Sequence, residues 1–127
     1  MKSPAQRFRV LPADYAVCRL NPDSAVPEWA TGPFLNITYT DDELTIICPA
    51  EGVPPDIRAE RDWRVLKLVG PFPFTAVGVL ASLATPLADA GISLLSIATY
   101  DTDYFLVKSG VCERAIAVLV AAGHIRI

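Results

Sequence analysis

From residue 63 to residue 127 the chain alternates apolar runs of strand length with two segments of helical spacing, and a glycine closes each helical segment. This alternation constrains the fold more tightly than any other feature, because strands and helices bury side chains at different periods. Residues 63–69 predict a strand with Trp63, Val65 and Lys67 on one face and Leu66 and Leu68 on the other. The loop Gly70-Pro71-Phe72-Pro73-Phe74 ends it, since neither proline can donate to a ladder. Thr75 suits the N-cap of a helix that runs to about Ala90, with Val77, Leu80, Ala84, Leu87 and Ala88 as its apolar stripe. Pro86 predicts a bend in it and Gly91 its stop. Residues 92–99 and 104–108 predict two strands joined by a tight turn at Asp101-Thr102. A second helix is expected over residues 112–122, with Ile116, Leu119 and Val120 inward and Gly123 as its stop. Residues 124–127 close as a short strand.

The order is β-α-β-β-α-β, so the expected class is α+β, a ferredoxin-like split βαβ with two helices on one face of a four-stranded antiparallel sheet. The other face needs cover from the first half of the chain, from a second subunit, or from both. The first half predicts strands within residues 8–20 and 35–48, with Thr40-Asp41-Asp42-Glu43 as a turn. Between them there is room for only a short helix over residues 24–30. This half is expected to be a reduced β-α-β-β copy of the second, giving units at 1–61 and 62–127. Residues 49–62 then form a surface connection or a short helix.

Of the 127 residues, 52% are apolar and 20% charged, which supplies a core and excludes disorder. A formal charge of −3 argues against a nucleic-acid partner, and Arg58, Arg61 and Arg64, interleaved with Glu60 and Asp62, predict a solvated face. No apolar run follows Met1-Lys2-Ser3-Pro4, so neither a signal peptide nor a spanning helix is expected, and no membrane partner; the cytoplasm is the expected compartment. Cys18, Cys48 and Cys112 are odd in number and widely spaced, which predicts reduced thiols, Cys48 in the core, rather than disulfides or zinc. The sole histidine, His124, lies in an apolar strand and predicts a structural role. There is no nucleophile elbow and no phosphate-cradling loop. Catalysis, cofactors and metals are therefore not expected. Asp101 favours turn geometry, or could join Asp103 around a hard cation. Asp103 begins a strand, where a charge weakens the sheet, and so predicts a binding role.

The run Gly78-Val79-Leu80, the segment Leu87-Ala88-Asp89-Ala90-Gly91-Ile92-Ser93, and above all Ile97-Ala98-Thr99-Tyr100-Asp101-Thr102-Asp103-Tyr104-Phe105-Leu106-Val107-Lys108 resemble the ACT domain. More narrowly, they resemble small bacterial ACT-domain proteins related to the ACT repeats of the eukaryotic cytosolic arginine sensor. The resemblance covers residues 63–123 and is topological before that. It implies tandem ACT units and a non-enzymatic regulatory protein, expected to be a homodimer, that binds a free amino acid between units. Carried over by position, the ligand-binding residues are Phe74, Thr75, Ala76, Val77 and Gly78, with Thr99, Tyr100, Asp101, Thr102 and Asp103. Amide N–H groups near Ala76 to Gly78 would receive the ligand's carboxylate and Asp103 its cationic end. Gly78 could equally serve helix packing. Ala76 stands where the arginine sensor's repeat has an acidic residue, so the resemblance implies a smaller or neutral amino acid. The alternative is a structural ACT pair that acts as a protein–protein interaction module.

Overall fold

In the computed structural model, which describes residues 5–73 and 75–127, the elements run β1 (Arg7–Val10), β2 (Tyr15–Leu20), β3 (Asn36–Tyr39), β4 (Leu44–Pro49), β5 (Ala59–Leu68), α1 (Val79–Asp89), β6 (Leu95–Ala98), β7 (Asp103–Lys108), α2 (Cys112–Ala121) and β8 (Ile125–Arg126). The chain gathers into two compact units, residues 13–63 and residues 1–12 with 64–127. β5 gives its first half to the former and its second half to the latter. Among the described residues no helix is long and apolar enough to cross a membrane.

In the unit of residues 13–63 the strand order is β3-β4-β2-β5. The turn expected at Thr40 forms, with the Thr40 hydroxyl accepting from the Asp42 and Glu43 amides at 3.2 and 3.0 Å. Alternation along β2 and β4 buries Ala16, Cys18, Leu44, Ile46 and Cys48 in one core. The short helix expected over residues 24–30 does not form. Only isolated turns occur there, such as Ala30 N–H to Pro27 O at 3.1 Å, because a short segment interrupted by Pro27 cannot repay helix nucleation. Between Tyr15↔Trp63 and Val17↔Glu60 the register slips, and Asp62 takes a left-handed φ of 66°, the mark of a β-bulge in β5. Arg61 is not a solvated side chain as expected: its guanidinium donates to the carbonyls of Ala50, Val53 and Pro54 at 3.4, 3.3 and 3.0 Å, fastening residues 50–54 to β5.

In the other unit the strand order is β6-β7-β5-β1-β8. β1 pairs antiparallel with β5 (Phe8↔Leu68) and parallel with β8 (Arg7↔Ile125). The β-α-β-β-α-β order is present, but the expected four-stranded antiparallel sheet has gained a fifth strand, inserted from the N-terminus beside β5. β1 therefore lies in the unit of residues 1–12 and 64–127, whereas the sequence assigned it to a unit of residues 1–61. Arg64, also expected to be solvated, donates to the Leu11 carbonyl at 3.1 Å and ties that strand's exit to β5.

Both helices cover the sheet face formed by Phe8, Leu66, Leu68, Phe105 and Val107, packing Leu83, Leu87, Ile116 and Leu119 onto it. α1 starts at Val79 rather than after Thr75, because Gly78 is left-handed (φ 79°, ψ 7°) and blocks extension backwards. The later start moves the apolar stripe to Val79, Leu83 and Leu87, four residues apart, and leaves Leu80 and Ala84 half-buried, Ala88 exposed and Val77 95% exposed. Val120, expected inward, is exposed on α2.

Pro86 lacks the N–H that would bond the Ser82 carbonyl four residues earlier. The buried His124 ring fills that gap, with Nε2 2.8 Å from Ser82 O, while its Nδ1 accepts from the Gln6 amide at 3.0 Å. These bonds define the Nε2–H tautomer. Replacement by phenylalanine leaves both backbone groups buried and unpaired. The His124→Phe variant should lose about 2–4 kcal/mol in urea unfolding.

All three cysteines are buried and free of disulfides. Cys18 and Cys48 lie diagonally across β2 and β4 and share a hydrogen bond. Burial first, then the neighbouring Cys48, pushes the Cys18 thiol up to about 11 from 9.0; burial raises Cys48 as well. The folded state holds these protons more tightly than the unfolded chain. Stability is therefore complete below pH 9 and falls as pH rises towards 11, by at most about 1.4 kcal/mol per pH unit for each thiol. Urea unfolding across that window should show a shallower decline in Cys18→Ala than in the wild type.

Candidate functional site

The strand-to-helix loop and the hairpin turn are locked together through backbone. Thr99 N–H bonds Thr102 O at 2.8 Å, and the Thr99 hydroxyl donates to the same carbonyl at 3.0 Å, closing the turn on itself. The buried Thr102 hydroxyl donates to Leu68 O at 2.9 Å and the Phe72 amide to Asp101 O at 2.7 Å. Gly70 permits this approach, since a Cβ there would meet the Asp101 carbonyl at 2.7 Å.

A cavity of about 320 Å³ opens beside that junction. Phe72 and Pro73 contribute from the loop, residues 78–81 from the start of α1, and Ala98 with residues 99–103 from the hairpin. Seven of the ten residues carried over by resemblance come together here: Ala76, Gly78, Thr99, Tyr100, Asp101, Thr102 and Asp103. Thr75 and Val77 do not line it, and Phe74 lies outside the described residues. Phe72, Pro73, Val79, Leu80, Ala81 and Ala98 line it without having been singled out from the sequence. Ala98 could have been found, because it sits directly across from Asp103 in the hairpin register.

The later start of α1 changes which amides stand at the head of the helix. Ala76 N–H bonds Pro73 O at 2.9 Å, and Ser82 N–H makes the first helical bond, to Gly78 O at 3.0 Å. The first-turn amides, which an α-helix leaves without an intrahelical acceptor, are those of Val79, Leu80 and Ala81. They carry the positive end of the helix dipole. Asp101 and Asp103 are the charged residues of the lining, and Asp103 is half-buried at the start of β7. The cavity thus pairs amide donors with carboxylates, a polarity that suits a molecule carrying both charges. Among the described residues no cluster of three or more His, Cys, Asp or Glu side chains is placed to hold a metal ion.

Gly70→Ala tests whether the junction shapes this cavity. A carbonyl at 2.7 Å cannot yield cheaply, so the variant should lose about 1–3 kcal/mol and displace the amide resonances of residues 99–103.

Comparisons with known proteins bear on what this architecture is. Residues 58–121 match the family model of the ACT domain, and residues 13–56 match a family model described as an N-terminal domain. A crystallised Agrobacterium tumefaciens protein is 36% identical, with a TM-score of 0.92 over 98% of this chain and 94% of its own. A Vibrio cholerae protein of unknown function is 23% identical, with a TM-score of 0.76 over 93% and 90%. The regulatory subunit of aspartate kinase from Thermus flavus shares the fold at 11% identity, with a TM-score of 0.62 over 91% and 95%. The comparison with curated proteins found no match. With a domain model spanning half its length, a relative of more than one-third identity along nearly all of it, and two helices on one face of a β-α-β-β-α-β sheet, the chain belongs to the ACT-domain family.

Proposed function

We propose that this protein is a non-enzymatic regulator that binds a free amino acid in the cavity between the start of α1 and the turn at residues 99–103. The observation that carries the proposal is the cavity's polarity: the first turn of α1, Val79, Leu80 and Ala81, with no side-chain cap, lines one wall, and Asp101 and Asp103 line another. The ligand's carboxylate takes the amides and its ammonium takes Asp103. About 320 Å³ is the scale of a small metabolite site. The fold shared with an aspartate kinase regulatory subunit supports a regulatory role.

On this proposal the amino acid completes its enclosure at an interface between ACT units of a homodimer. Val77 and Tyr100, 95% and 80% exposed at or near the cavity, are apolar surface that such an interface would bury. If the relation to the arginine sensor's repeats extends to this site, Ala76 leaves no second carboxylate for a guanidinium, which favours a smaller or neutral side chain. Micromolar to millimolar affinity corresponds to about −8 to −4 kcal/mol, within reach of a few enclosed charge-assisted contacts.

A thermal-shift screen of the twenty amino acids tests the proposal, because a ligand specific to the native state raises the midpoint with concentration. At least one should do so, and Asp103→Ala should weaken it at least tenfold. If no amino acid moves the midpoint, the alternative of an ACT pair acting as a protein-interaction module takes its place.

A further inference from the structure

The turn at residues 99–102 also borders a second cavity, about 380 Å³ in volume, with a different chemistry. Arg9 of β1 and Lys67 of β5 are direct cross-strand partners in it. Both stand on the sheet face turned away from the helices, because their neighbours Phe8, Leu66 and Leu68 face the helices. Like charges opposed across a strand pair destabilise it. Among the described residues neither Arg9 nor Lys67 forms an ion pair that would relieve this, although acidic residues outnumber basic ones in the chain. The Lys67 ammonium instead lies 5.8 Å from the centroid of the Tyr104 ring, which holds it at the cavity wall. Asp101 is the one acidic lining residue, so the lining carries a net positive charge of one: two cations less one anion.

We propose that this cavity is a second binding site, for a small oxyanion, a carboxylate or a phosphate, clamped between Arg9 and Lys67. The guanidinium supplies a planar fork that matches either group, and the ammonium a point charge beside it. The anion relieves the cross-strand repulsion, and the Tyr104 ring and Val69 supply apolar contact for the rest of a small organic acid. The site does not depend on an amino acid binding in the first cavity.

NMR titration of the full chain with succinate and with inorganic phosphate, at constant ionic strength and against sodium chloride, decides the matter. Saturable shifts at Lys67, Val69 and Tyr104 with either anion are expected. Arg9→Gln and Lys67→Gln should each weaken binding about tenfold, and Asp101→Asn should tighten it. Asp103→Ala should leave it unchanged, which separates this site from the amino-acid site. Shifts that chloride reproduces, that fail to saturate, or that persist in both Arg9→Gln and Lys67→Gln overturn the proposal.

Discussion

The imidazole of His124 holds the second unit in register. It connects the segment entering β1 through Gln6, the middle of α1 through Ser82, and the entry to β8 through its own backbone. The acceptor it satisfies exists because Pro86 removed a helical donor, so two features that would each weaken the fold offset one another. The orientation of α1 follows from that contact together with the packing of Leu83 and Leu87. The first turn of α1, and with it one wall of the proposed amino-acid site, inherits that orientation.

At the other end of the cavity the controlling contacts are backbone to backbone. Gly70, the Phe72 amide and the Thr102 hydroxyl bind the loop and the turn together without using Asp101 or Asp103 side chains. A scaffold that spends only main-chain groups and two threonine hydroxyls on its own integrity leaves its carboxylates available. The same turn borders two cavities of opposite character, one with carboxylates facing helix amides, the other with a paired arginine and lysine.

Much of the second unit was legible because its periods are clean. The strands at residues 63–69 and 104–108, the helix stops at Gly91 and Gly123 and the turn at Asp101-Thr102 all follow from patterning and glycine placement. The start of α1 was not. Thr75 offers a cap and Val77 fits a stripe, but a left-handed Gly78 overrides both, and no local pattern says whether a glycine will adopt that conformation. Arg61 and Arg64 show a further limit: charge interleaving predicts solvation, and only the fold reveals which carbonyls a guanidinium reaches. Of the candidate site, only Asp101 and Asp103 stood out from the residues themselves; the rest of the hairpin half came from the resemblance to the ACT domain. In the helix half, placed at residues 74–78, Ala76 and Gly78 line the cavity, but the lining continues through Val79, Leu80 and Ala81, which were not singled out.

The insertion of β1 between β5 and β8 has a consequence for the order in which the molecule can be made. Residues 7–10 precede both of their partners in the chain, one strand ending at Leu68 and the other beginning at Ile125. Residues 13–63 can organise while translation continues, but β1 must wait until residues 125–126 are made before both its edges are paired. Until then it is an unpaired strand, and contacts of such long sequence separation form slowly.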